Sequence, residues 1–149
     1  MAIQILSPQD FEKCSNIWNL RKNKQMAEKF YREVVSGERI TFVYTEKGRF
    51  IGEASIVFDN RDRDYTIPNQ RVYFSRLIVK KEYRRRGIGS ALCQYVMQYA
   101  KEHGYSEISI GVDLENYAAL KLYWRLGFDR LLFVGEDSDG KYVKLLKSI

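Results

Sequence analysis

The 149-residue sequence is poor in the residues that anchor metals, disulfides and covalent intermediates, with two cysteines, one histidine and two prolines. Cys14 and Cys93 lie far apart, inside segments of helical spacing and without a C-x-x-C partner. They read as small buried side chains in a reducing compartment, not as a disulfide or a metal pair. The lone His103, beside Gly104 in a polar helix end, gives no basis for a histidine zinc site or a Ser-His-Asp triad, and suits the negative C-terminal end of a helix instead. No metal is expected. No apolar run approaches the roughly 18 residues of a membrane span, and MAIQILSPQD lacks the basic start and long apolar stretch of a secretory leader. The expectations are therefore a cytoplasmic location and no membrane partner. Eleven Tyr and eight Phe against ten Gly exclude a low-complexity or solvating segment.

What is present suffices for a single domain over 1–149. The composition is 45% hydrophobic and 30% charged, and a chain of this length buries roughly 68–70% of its unfolded surface, enough for a core without staples. The formal charge is +6. It is concentrated: from Arg76 to Arg86 the sequence RLIVKKEYRRR holds six basic residues against one acid, a local net of +5, while the rest of the chain nearly cancels.

The pattern of elements is β-α-α-β-β-β-α-β-α-β-β, an α/β chain (α+β in its mixed sheet). Ser7-Pro8 starts a helix in which Phe11, Cys14, Ile17 and Trp18 recur through residue 19. A second helix runs from about Lys24 to Val35, with Met26, Phe30 and Val34 on one face and Gly37 at its end. Runs 40–45 and 50–58 flank Glu46-Lys47-Gly48-Arg49, a hairpin signal. The polar stretch 59–71 is the longest loop. Strand 72–79 leads to a helix with Ile88, Leu92, Val96, Met97 and Ala100 on one face up to Gly104. Strand 106–112, helix 116–126 and a terminal hairpin of 128–134 with 142–146 complete the chain.

The chemistry concentrates at 77–92, where an apolar strand passes through a basic turn into the helix start GIGSAL. Glycines at 87 and 89 remove side chains that would keep a ligand from the backbone, and the first amides of a helix have no helical acceptor. With the helix dipole and three arginines, they suit a phosphate group. No Gly-Lys-Ser/Thr of a triphosphate loop follows, and Leu92 stands where a dinucleotide fingerprint needs Gly or Ala.

Arg84-Arg85-Arg86-Gly87-Ile88-Gly89 resembles the Q/R-x-x-G-x-G/A signature of the GNAT N-acetyltransferase superfamily. A second hallmark follows as Asn116, Ala118, Ala119, Leu122, Tyr123, Leu126, Gly127 and Phe128. The resemblance implies the GNAT acyl-CoA N-acyltransferase fold, acetyl-CoA as cosubstrate and a primary amine of a small molecule or peptide as acceptor. It implies that the backbone of Leu77, Ile78 and Val79 pairs with the pantetheine arm where two parallel strands splay apart. The segment Arg84, Arg85, Arg86, Gly87, Ile88, Gly89 and Ser90 would hold the pyrophosphate. Asn116 would contact the cosubstrate, and Tyr123 would be the general acid at its sulfur. Direct attack of an amine on the thioester needs no enzyme nucleophile, so neither cysteine is required.

The general base does not transfer. Tyr73 stands where histone-type members carry a glutamate, and Gly111 where ribosomal-protein members carry one. Glu53, Asp113 or a water chain is the alternative, and an edge carboxylate explains Glu53 as well as catalysis does. Acids of the long loop (Asp59, Asp62, Asp64) and of the terminal hairpin (Glu136, Asp137, Asp139) would attract a cationic amine. A non-catalytic acetyl-CoA sensor is the competing reading. A nucleic-acid module would not need Gly87, Gly89 or the later Asn-Tyr pattern, so no nucleic-acid partner is expected. The sequence leaves a homodimer open.

Overall fold

The computed structural model describes residues 2–149. Seven strands form a mixed sheet in the order β1-β2-β3-β4-β5-β7-β6, and the chain divides into two compact units. Among the described residues no helix is long and apolar enough to cross a membrane.

The first unit comprises the chain to Ile56 together with Arg76–Val96. It holds β1 (Ile3–Ile5), a 3-10 helix (Pro8–Asn16), α1 (Lys24–Ser36), β2 (Arg39–Glu46), β3 (Arg49–Val57, to Ile56) and the end of β4 (Arg71–Val79). The start of α2 (Ile88–Glu102) completes it. The pattern after Ser7 is thus helical but not an α-helix. Its apolar residues Phe11, Cys14 and Ile17 repeat every three positions, which places them on one side of a three-residue turn. They pack with Leu6, Trp18, Ala27, Val43 and Phe50 in one apolar cluster. On α1 Phe30 packs on this cluster as expected and Val34 is half-buried, while Met26 is exposed and Ala27 takes its place on the inward face. Lys47 and Gly48 both have positive φ, 52° and 75°, the two-residue turn that twists with its strands and joins β2 to β3.

The second unit comprises Val57–Ser75 and Met97–Ile149. It holds the start of β4, the end of α2, β5 (Glu107–Asp113), α3 (Tyr117–Arg125), β6 (Arg130–Asp137) and β7 (Gly140–Ser148). β5 pairs antiparallel with β7 along its whole length, and β7 with β6. Both hairpin strands outrun their apolar stretches because backbone pairing continues through polar residues such as Glu136 opposite Lys141. The loop before β4 is held down by charge. Arg71 bridges Glu107 at 3.0 Å and donates to the carbonyls of Arg63 and Asp64. Lys144, nearly buried on β7, reaches Asp62 at 2.8 Å and Asp64 at 3.1 Å. His103 stacks on Tyr99, with Nδ1 2.8 Å from the Tyr99 carbonyl at the end of α2.

Candidate active site

The site elements start from a break in pairing. β4 and β5 run parallel from Arg71↔Glu107 to Phe74↔Ile110, and the pairing ends there although β4 continues to Val79. Past that point Lys80 turns its N–H to the Ile51 carbonyl at 2.8 Å. Alternation along an antiparallel strand then sends the Ile78 peptide groups toward β3 and those of Leu77 and Val79 to the opposite edge. Of the three residues expected to offer backbone, Leu77 and Val79 therefore face away from β3, and Ile78 faces its own sheet. The Val79 carbonyl is itself engaged, accepting from Arg84 Nε at 2.9 Å.

The turn that follows is shaped for backbone recognition. Arg85 and Gly87 take left-handed conformations, with φ of 64° and 77°. Ala91 is the residue whose N–H reaches the Gly87 carbonyl, at 3.0 Å, so the amides of Ile88, Gly89 and Ser90 precede the first helical bond. A Cβ on Gly89 would lie 3.8 Å from Leu77 and 4.0 Å from Val79, ordinary contact distances. The protein's own packing thus gives no reason for glycine there. The helix start sits low on the sheet because Gly52 is bare, since a Cβ there would meet Leu92 at 3.3 Å and Ile88 at 3.4 Å.

The basic cluster is less available than its sequence count suggests. Arg86 forms an ion pair with Glu46 at 2.7 Å, which holds the Glu46 carboxyl below its ordinary range. Lys80 donates to Asn16 Oδ1 at 3.0 Å. Arg76 leaves the cluster altogether: its guanidinium lies 4.5 Å from the Trp18 ring centroid and contacts Met26. Strand alternation explains this, because Arg76 shares a face with Ile78, which packs on the apolar cluster of the first unit. Of the segment's basic side chains, Arg76, Lys80 and Arg86 are thus engaged within the protein.

Arg76 points to a group whose setting the sequence misjudged. Glu53 is 4% exposed on a strand interior to the sheet, so the edge-carboxylate explanation fails. Burial pushes its pKa up, against the opposing pull of Arg76, Trp18 and Arg39. Glu53 Oε1, Trp18 Nε1 and Arg76 Nε are all buried polar atoms, and Arg76 and Trp18 both act on the Glu53 carboxyl. Glu53 is a polar centre inside the first unit.

In the second unit, Asn116 caps α3, its Oδ1 accepting from the Ala119 N–H at 3.2 Å. Tyr123 is buried, its ring edge-on to Phe74 at 6.1 Å and Phe128 at 5.8 Å. The residue that the sequence did not mark is Tyr65. Its ring lies 4.3 Å from that of Tyr73, and its hydroxyl would stand 2.5 Å from a Cβ on Gly111. The two positions without a glutamate thus converge on a pair of phenols, and Gly111 is bare because Tyr65 fills its side-chain space. Burial, with Tyr73 and Tyr142 nearby, pushes the Tyr65 phenol up, so it stays neutral. Two of the loop acids expected to draw a cationic substrate, Asp62 and Asp64, share Lys144, whose single positive charge offsets one of their two negative ones. Neither cysteine is disposed to be a nucleophile: both are free and buried, and burial raises the Cys93 thiol to about 12.

A sequence profile of the acetyltransferase (GNAT) family matches residues 5–128. The chain belongs to this family. N-alpha-acetyltransferase 30 of Schizosaccharomyces pombe is 38% identical over 90 residues, 60% of this chain and 57% of that protein. N-acetyltransferase 8 of Homo sapiens is 36% identical over 67 residues, 45% of this chain and 30% of that protein. The GNAT chain therefore spans about a third to just over half the length of these relatives. The crystal structure of the PaiA N-acetyltransferase from Thermoplasma acidophilum in complex with coenzyme A has a TM-score of 0.74 at 20% identity, covering all of both chains. The likeness establishes a shared GNAT fold.

Proposed function

We propose that the 149 residues act as one cytoplasmic N-acetyltransferase domain that moves the acetyl group of acetyl-CoA to a primary amine of a small molecule or peptide. The observation that carries this reading is Gly89, bare without a packing reason, next to the unpaired β4 edge and the left-handed Gly87. Acetyl-CoA supplies an activated thioester. Leu77 and Val79 on the free edge align the acyl arm, and the amides of Ile88, Gly89 and Ser90 with Arg85 take the pyrophosphate. Asn116 contributes its amide nitrogen. In the transfer a C–N bond forms and the C–S bond breaks; Tyr123 donates a proton to the departing sulfur, and the amine gives up its proton to water. The neutral phenol of Tyr65, with Tyr73 against it, is a hydrogen-bonding group for the amine, not a base. A relative named N-alpha-acetyltransferase favours a peptide α-amine among the acceptors.

The test is a thiol-release screen with acetyl-CoA against free-amine peptides, polyamines and aminoglycosides, with mass detection of the amide. Turnover is expected with at least one class. Tyr123→Phe is expected to lower kcat by about 100-fold or more while acetyl-CoA affinity is kept. Calorimetric binding of acetyl-CoA without any product amide would favour the sensor reading, and no binding at all would reject both.

A further inference from the structure

Among the described residues β6 ends the sheet and pairs only with β7, so its outer edge presents peptide N–H and C=O groups. Proteins usually protect such an edge with lysine, proline or inward charge. The middle of this one is Leu131-Leu132-Phe133-Val134-Gly135, and Leu131, Phe133 and Val134 are 60%, 44% and 55% exposed. Leu131 and Val134 oppose Leu145 and Val143 on β7, and so share a face of the sheet. Leu145 also lines a groove of about 430 Å³ with Leu120 and Trp124. Trp124 is 66% exposed. An edge and a face that are both apolar call for a covering strand.

We propose that this strand is β6 of a second copy, paired antiparallel to continue the sheet across a two-fold axis. Identical antiparallel strands related by such an axis must place one residue opposite itself, since opposed side chains share a face. β6 carries a bulge: Leu131 faces Leu145 and Phe133 faces Lys144, so Leu132 is an extra residue and Leu131–Leu132 count as one position. With Val134 on the axis, Phe133 opposes Gly135 of the second copy and the bulge opposes Glu136. Arg130 then opposes Asp137. Both ends of the strand thereby form cross-strand ion pairs around an apolar centre. Shifting the axis to Phe133 sets Glu136 against Asp129 and leaves Arg130 on Gly135. Val134 is the register that matches cation to acid. Arg130 and Asp137 are exposed. Asp137 uses one carboxylate oxygen on the Asp139 N–H at the hairpin turn and keeps the other for the pair.

Sedimentation equilibrium of the full chain tests this, with circular dichroism confirming that each variant folds. The wild type is expected to be a dimer, and Val134→Lys, which sets two like charges at the axis, to weaken association about 30-fold or more. Arg130→Asp alone and Asp137→Arg alone are each expected to favour the monomer, and the double charge exchange to restore the dimer. A wild type that stays monomeric at all accessible concentrations overturns the proposal. So does a dimer indifferent to Val134→Lys. Failure of the double exchange to recover the dimer overturns the register.

Discussion

Gly111 and Tyr65 form a lock of one hydroxyl against one absent methyl. Gly111→Ala would place a Cβ 2.5 Å from the Tyr65 hydroxyl, a clash that costs about 1–3 kcal/mol by overpacking. With Tyr65→Phe the nearest ring atom is 3.4 Å away, an ordinary contact. The double variant is therefore expected to regain most of the loss, with a coupling of about 1 kcal/mol or more in urea melts; strict additivity would sink the idea. Glu53 gives a second test at this scale. Its folded pKa lies above the ordinary 4.5, so its contribution to stability is complete below that value and is lost as pH rises through the folded one. Glu53→Gln stays neutral throughout. Its stability relative to the wild type is expected to rise with pH above 4.5, read from denaturant midpoints. An offset independent of pH would contradict the raised pKa.

The strand, turn and helix from β4 to α2 act as one element, and its two glycines differ in kind. Gly87 has φ 77°, a conformation that costs a residue with a Cβ roughly 1–2 kcal/mol, so Gly87→Ala should lower stability. Gly89 has an ordinary helical setting with room for a methyl group. Gly89→Ala should leave stability unchanged or raise it by up to about 1 kcal/mol, while acetyl-CoA affinity falls by about tenfold or more, as calorimetry would read. Loss of stability with unchanged affinity would mean that the glycine serves the fold and not the ligand. The expected pairing of this element with its ligand changes in one detail, since Ile78 turns its backbone to β3 whereas Leu77 and Val79 do not. A run of three apolar residues carries no mark of that difference.

Over the whole molecule, the +6 charge does not form one continuous basic face. Arg76 is folded inward against Trp18, Arg86 is paired with Glu46, and Lys144 with Asp62 and Asp64. Duplex DNA is therefore expected to bind weakly, with a shallow dependence on salt, and to be released by about 0.15 M salt. Tight DNA binding with a steep slope in a fluorescence titration would show a basic face that these pairs do not describe.

Local chemistry determined much of this protein from sequence alone. Apolar periodicity and turn residues place the strands and helices to within a few positions. The spacing of Arg84, Gly87 and Gly89 with Asn116 and Tyr123 marks the family, because backbone conformation and ligand contact act within a few residues of chain. What only the tertiary structure decided are the relations between residues distant in sequence. The hydroxyl of Tyr65 stands in the space of Gly111, Glu53 is sealed with Arg76 and Trp18, and Asp62 and Asp64 belong to Lys144. A carboxylate or phenol carries no local sign of its dielectric setting or of its partner across the sheet. That setting is a sum over neighbours that exist once the chain is packed.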